Sequence, residues 1–295
     1  MKNKFGFLKV TFGSMLLMGT LVISCSKDEN NNNNGKTDPS TIASENLIAY
    51  FPFNGNGKDT IGNMSPAQSP GVTFVAGRRG EAYQGSDNAF FLYNLPSNSK
   101  LKDLKAFSIA MWFYGTPAVN EVVPVPGILQ INGTSDPVWG NLCLTQDRMD
   151  AAVDSLNFKM VFHKEGVPWN NQFVGFPSNK FIKNLWIHLV FTYDNTSSKY
   201  RVYVNGEPLT LGAGITDRWA AGEDSVPRPP LGDLAFVDAT QLTIGGWWKK
   251  AADNGTDEFM GFFTGKMDEL RIYDKGLTAD EVKSLFDAEV LQLNP

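Results

Sequence analysis

From residue 47 onward the chain alternates short apolar runs with clusters of Gly, Asn, Asp and Pro. Runs of this length, rich in β-branched and aromatic residues and closed by turn formers, predict strands. They fall at 47–53, 89–93, 106–114, 127–131, 141–145, 157–162, 185–193, 199–204, 241–245 and 265–273. In the 199–204 run, Tyr200, Val202 and Val204 face one way and Arg201 and Tyr203 the other, which describes a sheet with one dry face. The 107–114 and 186–193 runs are apolar on both faces, as central strands covered on each side would be. Asn205-Gly206 is the strongest hairpin signal, because both turn positions want φ > 0. A single segment reads as a helix, and it comes last. Thr278 and Glu281 form a capping box, Leu277 and Val282 are placed for a hydrophobic staple, and Val282, Leu285 and Phe286 share a face. Strands without intervening helices make the economical fold an all-β sandwich of two antiparallel sheets, with one short C-terminal helix, built from 46–295 as one domain.

The first 45 residues do not share this pattern. Lys2, Lys4 and Lys9 precede an apolar stretch at 10–23 that is too short and too broken for a membrane span and has the layout of an export signal over 1–24. It ends in Leu21-Val22-Ile23-Ser24-Cys25, which resembles a bacterial lipoprotein signal. That resemblance implies that Cys25 is lipidated and becomes the mature N-terminus, held to the outer membrane by the lipid alone. Residues 25–45 are a polar, low-complexity tether with five consecutive asparagines at 30–34. The Lys27-Asp28-Glu29 patch resembles the surface-export signal of Gram-negative glycan degraders, which implies a protein facing the cell exterior, in company with a surface glycan-uptake complex.

Composition narrows the function. Apolar residues make up 42% and aromatics 12%, enough for a sizeable core. The net charge of −5 and the lack of basic clusters argue against nucleic acid as a partner. Two cysteines cannot make a disulfide framework, and Cys143, inside an apolar run, reads as a buried thiol. His163 and His188 are too few and too far apart for a histidine metal centre; no nucleophile elbow or phosphate loop is present.

Five segments, in order, are similar to those of concanavalin A-like, laminin-G-type domains. They are Leu47-Ile-Ala-Tyr-Phe-Pro-Phe-Asn-Gly-Asn56 with Asp59 behind it, Phe107-Ser-Ile-Ala-Met-Trp112-Phe, Trp186-Ile-His188-Leu-Val-Phe-Thr-Tyr-Asp194, Tyr203-Val-Asn205-Gly206, and Gly265-Lys-Met-Asp268-Glu269-Leu-Arg-Ile-Tyr273 with the helix after it. The resemblance implies a jelly-roll sandwich engaged in carbohydrate or cell-surface recognition. It also implies a structural calcium ion at the sandwich edge, held by Asp59, Asp268 and the Asn54 turn with backbone carbonyls. Those same residues equally suit turns that need no metal. His188 occupies a position where the family carries a packed histidine.

Sugars present apolar C–H faces that stack on aromatic rings, while Asn, Asp and Gln bond the hydroxyls. Trp112 and Trp186 sit inside apolar strands and read as core. Trp139, Trp169 and Trp219 stand in loops beside Pro, Gly, Asn or Asp, and Trp247 and Trp248 follow Gly245-Gly246 at a strand end. These five are the candidate ligand-binding rings; the other reading is that they cap the sandwich or pin loops. The connection at 212–236, which carries Trp219, is long enough to be functional.

A glycan-cleaving hydrolase or lyase on the same fold is the rival reading, and an adhesin-like protein-interaction module is a third. Hydrolysis needs two carboxyl groups across the scissile bond. No Glu-x-Asp-x-Glu or Glu-x-Asp-x-x-Glu occurs, and the adjacent Asp268 and Glu269 should point to opposite faces of their strand. The sequence therefore favours a surface lipoprotein that captures a polysaccharide or oligosaccharide without cleaving it.

Overall fold

All ten predicted runs form strands in the computed structural model, which describes residues 37–116, 124–147, 155–167, 171–221, 226–253, 255 and 257–293. In chain order the strands are β1 (Leu47–Phe51), β2 (Thr73–Ala76), β3 (Glu81–Gln84), β4 (Phe91–Asn94) and β5 (Phe107–Tyr114). Then come β6 (Val125–Ile131), β7 (Leu142–Asp147), β8 (Ser155–His163), β9 (Asn171–Ile182) and β10 (Trp186–Asp194). The last are β11 (Lys199–Val204), β12 (Glu207–Pro208), β13 (Gln241–Ile244), β14 (Met260–Phe262) and β15 (Lys266–Tyr273). Helices α1 (Ala213–Thr216) and α2 (Trp248–Ala251) are single turns, and α3 (Ala279–Val290) is the expected C-terminal helix.

Among the described residues the strands make two sheets. The first runs β12-β11-β10-β5-β15-β3-β2 with β1 also on β15; the second runs β4-β13-β6-β7-β8-β9 with β14 also on β6. Their pairings are antiparallel apart from β14 on β6, which is parallel. Between the sheets lies an aromatic-rich core, in which Phe158 packs on Phe113, Phe181 and Phe191 at ring distances of 5.2, 4.9 and 5.6 Å. β9 is not among the predicted runs, and Gly175 and Pro177 interrupt its pattern of apolar residues. It is tolerated as a strand because it ends the sheet, where a residue without an N–H costs no ladder bond.

Local signals hold where the sequence states them. Asn205 and Gly206 take φ of 51° and 80° between β11 and β12. Thr278 and Glu281 make the full capping box, so α3 starts with its first amides satisfied. Helix α3 lays Val282 and Leu285 on Ala110, Val190, Tyr203 and Tyr273, the outer face of the first sheet. This covering explains why β5 and β10 are apolar on both sides. Trp186 departs from expectation: it is only half-buried, at the open start of β10, edge-on to Tyr114.

The alternation expected at Asp268 and Glu269 does not survive folding. A bulge lies between Asp268 and Arg271, with Glu269 at φ 53°. The extra residue puts both carboxylates on the outer side of β15, where Arg79 meets them together. Glu269 accepts from Tyr50 Oη at 2.6 Å and from the Arg271 guanidinium at 2.9 Å. Arg271 also pairs with Glu289 of α3, and Glu289 Oε2 lies 3.4 Å from His188 Nε2. Burial pushes the His188 imidazole down to about 3, with the Arg271 charge adding to the effect, so it packs as a neutral ring against Trp112 and Phe286. Arg271, Glu269 and Glu289 are each about 1% exposed or less. They form a buried ionic clasp between helix and sheet.

Candidate functional site

The outer face of the second sheet has no long helix over it among the described residues. Its side chains follow from the strand register. Thr145 of β7 opposes Lys159 of β8, which opposes Gly175 of β9; one row on, Asp147 opposes Asn157, which opposes Pro177. Because alternate residues share a face, Thr145, Asp147, Asn157 and Lys159 form a polar floor. Gly175 and Pro177 leave the floor low on the β9 side.

The wall is aromatic. Trp139 comes from the turn between β6 and β7, and its ring meets Trp247 at 5.2 Å and 65°, Phe173 at 5.4 Å and 85°, and Phe259 at 6.4 Å and 29°. Phe173 keeps 41% of its surface exposed. Val125, Trp139, Thr145, Asp147, Lys159 and Phe259 enclose a pocket of about 320 Å³. Lys159 Nζ stands 5.4 Å from the Trp139 ring centre and 3.5 Å from Asp147 Oδ2. Two polar atoms of the floor, Thr145 Oγ1 and Asn157 Oδ1, are buried without a hydrogen-bond partner. A buried hydroxyl left without a partner forfeits about 1–3 kcal/mol.

The predicted rings divide sharply. Trp139 stands in this wall, half-buried. Trp247 is fully buried and donates Nε1–H to the Val125 carbonyl at 2.7 Å, so it supports the wall from behind and offers no face to a ligand. Its neighbours Cys143, Val161 and Met260 complete that support, and burial holds the Cys143 thiol well above its ordinary range. Trp248 packs on Phe90, Leu92 and Phe262 and donates to Gln241 Oε1 at 2.6 Å. It covers the β4–β13 side of the same outer face and leaves the pocket to Trp139. Trp219 lies elsewhere, in a separate 330 Å³ pocket with Lys199 and Asp217, and the guanidiniums of Arg218 and Arg228 stand 4.9 and 4.4 Å from its ring centre. Its stacking surface is already taken by these cations. Trp169 and Cys25 lie outside the described residues. Sequence reading missed Phe259, Thr145, Asp147 and Lys159. The alternation of β7 and β8 could have put the last three on one face, but nothing in the sequence says that this face is left open.

Of the three residues expected to hold calcium, Asn54 and Asp268 meet at one turn and Asp59 is bonded within another loop. Asp268 Oδ2 accepts from the Arg78 and Arg79 amides at 2.8 and 2.9 Å, and Asn54 Oδ1 accepts from Glu81 N at 2.8 Å, so these two grip the β2–β3 turn from either side. Asp59 is fully buried in a different loop, where its Oδ1 accepts from Tyr50 N and Ile61 N. Among the described residues no three of His, Cys, Asp and Glu stand close enough together to hold a metal. At the turn itself, Asp268 Oδ1 is a buried oxygen without a partner, and burial pushes the Asp268 carboxyl up to about 7. That oxygen suits a cation only if carbonyl oxygens of the turn supply most of the six to eight ligands calcium takes.

No protein-family model matches the chain, and no curated protein matches it. Solved structures do. The binding domain of Paraclostridial mosquitocidal protein 1 is 14% identical, with a TM-score of 0.54, over 82% of this chain and 52% of that one. The binding domain of botulinum neurotoxin DC, solved with rat synaptotagmin II, is 14% identical with a TM-score of 0.55, over 84% and 52%. The serotype D ligand-binding domain, solved with N-acetylneuraminic acid, is 13% identical with a TM-score of 0.54, over 85% and 52%. The chain thus spans about half the length of these structures. What they share with it is the fold, an all-β sandwich of two antiparallel sheets.

Proposed function

We propose that this chain is a surface lipoprotein whose sandwich captures a glycan in the Trp139 pocket without cleaving it. The observation that carries the reading is the pocket in which Trp139 and Phe259 stand over the polar side chains of Asp147 and Lys159. Trp139 and Phe259 supply apolar surface for a sugar's C–H face, Asp147 accepts from hydroxyls, and Lys159 donates to them. That a similar sandwich is solved with N-acetylneuraminic acid supports the same class of partner. The two adjacent carboxylates that share a face, Asp268 and Glu269, are buried and already bonded to Arg79, Tyr50 and Arg271, which supports capture over hydrolysis. Affinity gels containing arabinan, xylan or mucin test this. The lipid-free chain should be retarded by at least one, Trp139→Ala should run as in a blank gel, and the glycan should be recovered uncut. Retardation unchanged by Trp139→Ala would remove the pocket from the proposal.

The anchor belongs to the same reading. Cys25 carries lipid, residues 25–45 span from membrane to sandwich, and the protein serves a glycan-uptake complex outside the cell. Labelled palmitate should enter the wild type and be absent from Cys25→Ser. A calcium ion at Asp268 Oδ1 would brace the β2–β3 turn, remote from the glycan pocket; isothermal titration of the chelated protein with calcium tests it.

A further inference from the structure

Trp139 is one end of a chain of side-chain hydrogen bonds, and each link fixes the next. Asp136 Oδ1 accepts from the Val138 and Trp139 amides, both at 3.0 Å, and so shapes the turn that presents the ring. Asp136 Oδ2 faces the Asn171 amide at 2.6 Å. An ionised carboxylate only accepts, so Asn171 must present its Nδ2 to Asp136 and its Oδ1 to the other side. On that side stands His163, Nδ1 to Oδ1 at 2.8 Å, so Nδ1 carries a hydrogen and donates it. The ring's Nε2 then meets Glu165 Oε2 at 3.1 Å. That contact joins two groups that both accept when unprotonated, and it holds only while a proton sits between them.

Burial makes this position unusual. The His163 side chain is 1% exposed and Glu165 is 52% exposed. The other charged groups nearby are committed elsewhere. Lys164 donates to the Leu231 carbonyl and Asp238 accepts from Thr134, while the backbone of His163 bonds Asn141 and Ala235. The path from Glu165 to the turn therefore runs through His163 and Asn171.

We infer that His163 is a positioning residue for the glycan pocket, setting the orientation of Trp139 through Asn171 and Asp136. The inference rests on the reading of the Trp139 pocket, but its first readout does not. Full-length protein in detergent, labelled with 5-fluorotryptophan, gives one fluorine signal per tryptophan, and Trp139→Phe assigns the relevant one. Glu165→Gln should keep the Trp139 signal at its wild-type position, because the glutamine amide can still bond Nε2. His163→Ala and Asn171→Ala should move it. In the arabinan, xylan and mucin gels, His163→Ala should weaken retardation about tenfold, as when a central aromatic contact loses its seat. A Trp139 signal identical in wild type and His163→Ala would overturn the inference. Fluorine shifts as described, with no retardation in any gel, would uphold the positioning role and sink the glycan reading alone.

Discussion

Replacing Asp268 with Asn gives the most quantitative test of the structure. The carboxyl is fully buried, accepts from the Arg78 and Arg79 amides through one oxygen only, and is raised from 3.8 to about 7, chiefly by burial. An acid whose folded value is raised contributes stability that is fully present below pH 4 and lost as pH climbs through 7. The shift of about 3 units, at 1.36 kcal/mol per unit, puts a ceiling of about 4 kcal/mol on the loss. Asn keeps the shape and the amide acceptor but never ionises. Relative to Asp268→Asn, the wild type should lose about 2 kcal/mol by pH 5 and about 4 kcal/mol by pH 8. Urea unfolding of both proteins at pH 4, 5, 6, 7 and 8, in excess chelator, measures the difference. A flat difference, or a wild type that gains on the variant as pH rises, would refute the reasoning. Calcium bound at Oδ1 would keep the acid ionised, so adding calcium should flatten the wild-type profile if the ion binds.

Four further outcomes follow from packing and ion pairing. Trp247→Ala should cost about 3–5 kcal/mol in urea unfolding, since the ring is fully enclosed and its N–H leaves the Val125 carbonyl unpaired. Trp139→Ala, half-exposed, should cost far less while losing glycan retardation, and equal costs would undo the division of roles between the two rings. Glu289→Ala leaves the buried Arg271 guanidinium with Glu269 alone and should destabilise the fold, lowering the melting temperature and freeing α3 to hydrogen exchange before the strands. Gly206→Ala should destabilise by about 1 kcal/mol or more, because the residue sits at φ 80° and an added Cβ would stand 2.9 Å from Phe286; an unchanged denaturation midpoint would contradict that turn.

What the sequence determined by itself is local. Period-two alternation, the Asn205-Gly206 turn and the Thr278–Glu281 box depend on neighbours a few residues apart, so ten strands, a hairpin and the closing helix were legible there. Strand β9 was not, since Gly175 and Pro177 are acceptable only at a sheet edge, and being an edge is a property of the assembled sheet. The bulge at Glu269 turned two adjacent carboxylates to one side, because Tyr50 and Arg79 arrive from two distant segments to meet them beside Arg271 of the same strand. The same reasoning separates the tryptophans. Trp247 and Trp139 have equally loop-like surroundings in the chain, yet Trp247 is sealed by Met260, Val161 and Trp139 itself, while Trp139 keeps a side toward the pocket. Whether a ring is core or surface depends on which segments pack over it, and only tertiary contacts across more than a hundred residues decide that.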